Sequence, residues 1–124
     1  MKTYKKVING TEVRCDVIAM GDDFCVLLYG GDLPHIGSTA LSVPRPSLTG
    51  EGISATTSIL NCIGHKDDVL AKLFAEKIAA KTNHVTVCVC GVHVDQLSFE
   101  ELQMLYDGCC QFLEDISHSF NLKE

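Results

Sequence analysis

Residues 12–29 read Glu12-Val13-Arg14-Cys15-Asp16-Val17-Ile18-Ala19-Met20-Gly21-Asp22-Asp23-Phe24-Cys25-Val26-Leu27-Leu28-Tyr29, and the fold class follows from them. Up to Met20 the residues alternate, with Val13, Cys15, Val17 and Ala19 on one side and Glu12, Arg14 and Asp16 on the other, the pattern of a half-buried strand. Gly21-Asp22 supplies a tight turn, and residues 23–29 then run almost wholly apolar, as a central strand does. A hairpin early in the chain predicts antiparallel pairing. No element is read upstream of Glu12.

Working outward, Gly30-Gly31-Asp32-Leu33-Pro34-His35-Ile36-Gly37 breaks both periods and predicts a shaped loop. A third strand is expected over about residues 38–43, ended by Pro44-Arg45-Pro46, because neither proline donates to a ladder. Alternation returns from Ile53 to Ile63 as a fourth strand. Residues 67–81 carry Leu70, Leu73, Phe74 and Ile78 at helical spacing, with Asp67 and Asp68 at the positive end of the helix dipole. Residues 84–92 alternate again as a fifth strand. Ser98 with Glu101 forms a capping-box pattern and Leu97 with Leu102 a hydrophobic staple, opening a second helix whose apolar stripe runs to Phe120. The expected architecture is α+β in the order ββββαβα: a mostly antiparallel five-stranded sheet with two helices on one face.

The 124 residues, 46% hydrophobic and 21% charged, fit one globular domain spanning residues 1–124. No apolar run approaches the ~20 residues that cross a bilayer, and the start Met1-Lys2-Thr3-Tyr4-Lys5-Lys6 lacks the apolar segment of a signal peptide. Seven cysteines, an odd number without a scaffold spacing, point to a reducing cytoplasm. The net charge of −6 argues against a duplex binder held by phosphate neutralisation. Residues 82–122 hold Asp95, Glu100, Glu101, Asp107, Glu114 and Asp115 and no Lys or Arg, so an anionic ligand is expected to meet the bases in the middle of the chain.

The polar residues that need explaining sit where strands end. Gly64-His65-Lys66-Asp67-Asp68 precedes the first helix, whose free N–H groups suit a phosphate or carboxylate; the same segment also reads as a plain polar helix entry. Gly91-Val92-His93-Val94-Asp95 stands likewise before the second helix. If the two preceding strands are neighbours running the same way, His65 and His93 share one rim with His35 and Asp95. The 30- and 28-residue spacings between these histidines carry no metal-ligand signature, so no metal is expected. Arg45, fixed between two prolines, is a pre-organised fork for an anion or a solvated loop residue. No phosphate loop, dinucleotide fingerprint or nucleophile elbow is present in the sequence.

Four segments, residues 30–38, 44–48, 54–68 and 91–95, together resemble the LpdD-like prenylated-flavin chaperones, and the Gly64-His65-Lys66-Asp67-Asp68 block is the most specific of them. The resemblance covers about residues 12–116. It implies a cytoplasmic, non-catalytic homodimer of the proteasome assembly chaperone fold that takes prenylated FMN made by a flavin prenyltransferase to a reversible aromatic-acid (UbiD-type) decarboxylase. The matching positions are His35, Arg45, His65, Lys66, Asp67, Asp68, His93 and Asp95. For such a cargo Lys66, Arg45 and the N–H groups after Gly64 suit the phosphate, and His35 and His93 the ring heteroatoms. Small side chains at Ala40, Ala55 and Ser58 leave room for a flat ring. Two other readings stay open: an enzyme using His65 or His93 as general base with Asp95 orienting it, and an assembly factor without ligand.

Overall fold

In the computed structural model, residues 1–62 and 67–120 are described. Six strands and two helices follow in the order β1 (Lys2–Ile8), β2 (Thr11–Met20), β3 (Asp23–Gly31), β4 (Ser38–Pro46), β5 (Ile53–Asn61), α1 (Asp68–Thr82), β6 (Thr86–His93) and α2 (Phe99–Ser119). The strands form one sheet in the order β1-β2-β3-β6-β4-β5.

This corrects the expectation of a five-stranded, mostly antiparallel sheet in two respects. First, the chain opens with a strand: β1 pairs antiparallel with β2 from Lys2 opposite Val17 to Ile8 opposite Thr11. Asn9 and Gly10, at φ 49° and 79°, make the two-residue turn between them, a conformation that Asn-Gly adopts readily. β1 escapes a periodicity reading because it is an edge strand rich in lysine, which blunts edge-to-edge association. It is tied down from one side, where the Tyr4 hydroxyl meets Ser119 Oγ at 2.7 Å and Lys6 Nζ meets Asp115 at 3.5 Å. Second, the sheet is mixed. β6 returns after α1 and inserts between β3 and β4, parallel to β3 and antiparallel to β4.

Both helices pack on one face. Val13, Cys15 and Val17 of β2, Val26 and Leu28 of β3, Ala40 of β4 and Cys88 and Cys90 of β6 meet Leu70, Phe74 and Ile78 of α1 and Leu105, Cys109, Phe112 and Ile116 of α2 in one buried core. The Phe74 and Phe112 rings stand edge to face at 6.5 Å, joining the two helices. The capping box of α2 is formed: Ser98 Oγ accepts from the Glu101 N–H at 3.1 Å and the Glu101 carboxylate from the Ser98 N–H at 3.0 Å.

The insertion of β6 decides what meets what. β5 and β6 are both antiparallel to β4, so they run the same way, yet β4 lies between them. The condition set for a shared rim, neighbouring strands, is therefore not met, but one rim still forms. The ends of β3, β5 and β6, the start of β4 and the N-terminus of α1 all lie along it.

Candidate functional site

The rim is organised around Asp67. This residue precedes α1 but does not cap it with its side chain; the carboxylate instead turns inward and is buried. Its Oδ1 accepts the Val92 N–H at 3.1 Å and lies 3.8 Å from Cys90 Sγ, and its Oδ2 lies 3.2 Å from His35 Nε2. Burial above all, with Cys88 and Asp67 adding to it, pushes the Cys90 thiol up, so Cys90 faces Asp67 as a protonated S–H donor. His35 Nδ1 donates to the Leu33 carbonyl at 2.9 Å, which fixes the ring so that Nε2 faces the carboxylate.

Glycines let the His35 loop press into the sheet. A Cβ at Gly37 would overlap the Asp67 carboxylate, and one at Gly91 would overlap the His35 carbonyl. On the far side of the loop the Asp32 N–H donates to the His93 carbonyl at 2.7 Å, and the Asp95 N–H donates to the Asp32 carboxylate at 3.0 Å. His93 Nε2 pairs with Asp95 Oδ1 at 2.7 Å, and the His35 and His93 rings stand edge to face, 6.1 Å between centroids.

Of these groups His35, Asp67, Val92 and His93 line a cavity of about 440 Å³ between the start of α1, the end of β6 and the first turns of α2. Its walls are apolar, from Val69, Leu70, Val92, Val94, Leu97, Phe99, Leu102, Leu105 and Tyr106, and its polar groups are His35, Asp67, His93 and Gln103. A volume within ~300–1,000 Å³, apolar walls and a few convergent polar groups are what a small-molecule site looks like.

A family model described as the prenylated flavin chaperone LpdD-like domain matches residues 8–121. The chain belongs to this family. Among curated proteins no match was found. For a prenylated flavin chaperone the cavity has the right character: a slot with apolar sides for a fused ring, and imidazole and carboxylate groups for its polar edge.

The sequence-derived residues divide. His35, Asp67, His93 and Asp95 are brought together at the rim. His65 and Lys66 lie outside the described residues. Asp68 is half-buried in the first turn of α1 and does not line the cavity. Arg45 stands at the other end of β4, seven residues beyond Ser38 and so roughly 23 Å along an extended strand. There its Nε donates to Thr56 Oγ1 at 2.8 Å and its guanidinium to the Pro46 carbonyl at 3.2 Å. Ser58 faces away from the helices, since its neighbour Thr57 donates to Glu76 of α1 at 2.6 Å. Ala40 is sealed in the core. Ala55 lines a separate groove against Leu73 and Leu113.

Most of the cavity wall was missed from sequence. Leu97 and Leu102 read only as a helix staple. The available signal was Phe99, a large apolar residue off the α2 stripe and 84% exposed, which stands at the mouth. Among the described residues no group of three or more His, Cys, Asp and Glu side chains is arranged to hold a metal ion, and no helix is long and apolar enough to cross a membrane.

Proposed function

We propose that this chain carries prenylated FMN in the cavity between α1, β6 and α2 and releases it to a UbiD-type decarboxylase after receiving it from a flavin prenyltransferase. The observation that supports this most is the convergence of His35, Asp67 and His93 in a mostly apolar cavity in a chain of this family. His93, 43% exposed, is positioned to hydrogen-bond the polar edge of the ring, with Asp95 holding its tautomer. His35 and Asp67 act beneath it as a fixed pair that keeps the loop in place. Lys66, next to Asp67 in the chain, supplies the cation for the phosphate in this reading, and Arg45, at the other end of β4, does not. Asp68 acts on the α1 dipole rather than on cargo.

Among the described residues the cavity wall offers no covalent anchor, which suits a carrier that must let go. The reading extends to a cytoplasmic homodimer without catalytic activity of its own. An anaerobic titration with reduced prenylated FMN and with FMN tests it. Saturable binding is expected, weakened at least tenfold by His93→Ala and by Lys66→Ala and unchanged by Arg45→Ala. Absence of binding refutes the carrier role. Binding without activation of an apo-decarboxylase by the loaded protein refutes delivery alone.

A further inference from the structure

The mouth of the cavity is apolar as well as its walls. Phe99 stands there almost fully exposed, with Val69 of α1 and Leu102 of α2 half exposed along the same cavity. Leu33 and Ile36, on either side of His35 in the loop after β3, are exposed too. Phe99 is the first residue of α2 and lies off the buried stripe of that helix, so packing within the chain does not account for it. Large apolar side chains grouped on the surface mark a contact.

The charge around this lip is of one sign. Residues 30–37, 67–72 and 92–107, the segments that build the site, hold six acids besides the buried Asp67: Asp32, Asp68, Asp95, Glu100, Glu101 and Asp107. Against them stands one lysine, Lys72. Among the described residues none of the six forms an ion pair with Lys or Arg, and only Asp95 meets a histidine. Glu100, next to Phe99 in the chain, is exposed, as are Asp32, Asp95 and Asp107. An apolar centre within an acidic surround fits a protein that is basic around an apolar centre, because complementary fields speed encounter and reject other partners. A nucleic acid or an anionic membrane carries the wrong sign.

The chemistry of the cargo says which protein has such a surface. An enzyme that binds a flavin mononucleotide holds the phosphate with cations or helix N-termini, and while its site is empty nothing neutralises them. A donor that still holds its product has had the same charges neutralised by the phosphate. An acidic lip is therefore drawn to the empty acceptor.

We propose that the apolar lip around Phe99, with its acidic surround, docks on the cofactor entrance of the apo-decarboxylase and sets the mouth of the cavity against the empty site. The proposal rests on the carrier reading above and names the surface through which delivery runs. Phe99 is its apolar anchor, and Glu100 faces the basic collar of the acceptor.

Apo-decarboxylase of the UbiD type, immobilised on a biosensor and titrated with the cargo-free full chain, tests it. Circular dichroism verifies the fold of each variant, and an anaerobic flavin titration reads cargo affinity separately. The wild type is expected to bind the apo-enzyme at least tenfold more tightly than the holo-enzyme, and to lose at least tenfold in salt of about 1 M, where the Debye length is about 3 Å. Phe99→Ser and Glu100→Lys are each expected to weaken docking at least tenfold, Glu100→Lys without loss of cargo affinity. Leu48→Lys, in the loop between β4 and β5 at the other end of the sheet, is expected to change neither. Docking that survives both lip substitutions, or that Leu48→Lys breaks instead, overturns the surface. Equal binding to apo- and holo-enzyme, tighter binding of the flavin prenyltransferase, or self-association that Phe99→Ser breaks overturns the choice of partner. A wild type that takes up cargo but does not dock overturns the lip and leaves the carrier reading standing, whereas docking without cargo uptake overturns the carrier reading.

Discussion

The buried carboxylate of Asp67 joins two loops from distant parts of the chain: Oδ2 lies 3.2 Å from His35 Nε2, and Oδ1 accepts the Val92 N–H at 3.1 Å. The first residue before α1 therefore holds the loop after β3 and the end of β6 in one arrangement. The cavity floor depends on it, because His35, Asp67 and Val92 all line that floor.

Removing this acceptor leaves the part-buried Val92 N–H without its partner. Asp67→Ala is expected to lower stability by about 1–3 kcal/mol, the usual penalty for an unsatisfied buried polar group. Asp67→Asn keeps an acceptor for the Val92 N–H and is expected to lose less. Urea unfolding of the two variants checks the order; equal losses would mean that the Val92 bond is not what matters.

Two glycines separate close approach from turn strain. Gly91→Ala drives a methyl into the His35 carbonyl and is expected to cost more than about 2 kcal/mol, as overpacking against backbone does. Gly10→Ala meets no atom within 4 Å and suffers only its φ of +79°, about 1 kcal/mol. Thermal melts of the pair distinguish these costs.

The α2 cap gives a pH signature. Hydrogen bonds from the Ser98 backbone and side chain hold the Glu101 carboxyl below its ordinary value. A lowered folded-state pKa contributes stability that is complete above the ordinary Glu value and is lost as pH falls through the lowered one. The stability difference between wild type and Glu101→Gln is thus expected to be constant at neutral pH and to shrink in acid. Ser98→Ala is expected to cost about 1 kcal/mol. Urea unfolding from pH 7 to pH 3 measures both.

Thiol reactivity reads the core. Burial pushes Cys15 and Cys109 up to about 12 and raises Cys88 and Cys90 as well, so all four stay protonated and unreactive at pH 8. Cys62 is exposed. Brief alkylation followed by peptide mass spectrometry is expected to mark Cys62 first and to leave these four untouched until the chain unfolds.

Local patterns carried most of the element reading, and non-local pairing carried what was lost. β2, β3 and α2 were legible because alternation, a two-residue turn and the Ser98–Glu101 box each act within a few residues. β1 lacked periodicity, although Asn9-Gly10 announced the hairpin. The place of β6 was invisible, since no local pattern says that a strand near residue 90 will separate β3 from β4. The site shared this fate. His35, Asp67, His93 and Asp95 were found as polar residues at strand ends, while the rim they share came from the β6 insertion. Arg45 was selected for its two prolines, and the direction of β4 took it to the opposite end of the sheet.

A crystal structure of the chain grown with prenylated FMN locates the cargo directly. The flavin ring is expected between the start of α1 and the first turns of α2, against Val92 and Leu102 with its polar edge at His93. Cargo seated on the open sheet face beside Ser58, or at Arg45 on the opposite rim, would contradict the assignment of the cavity.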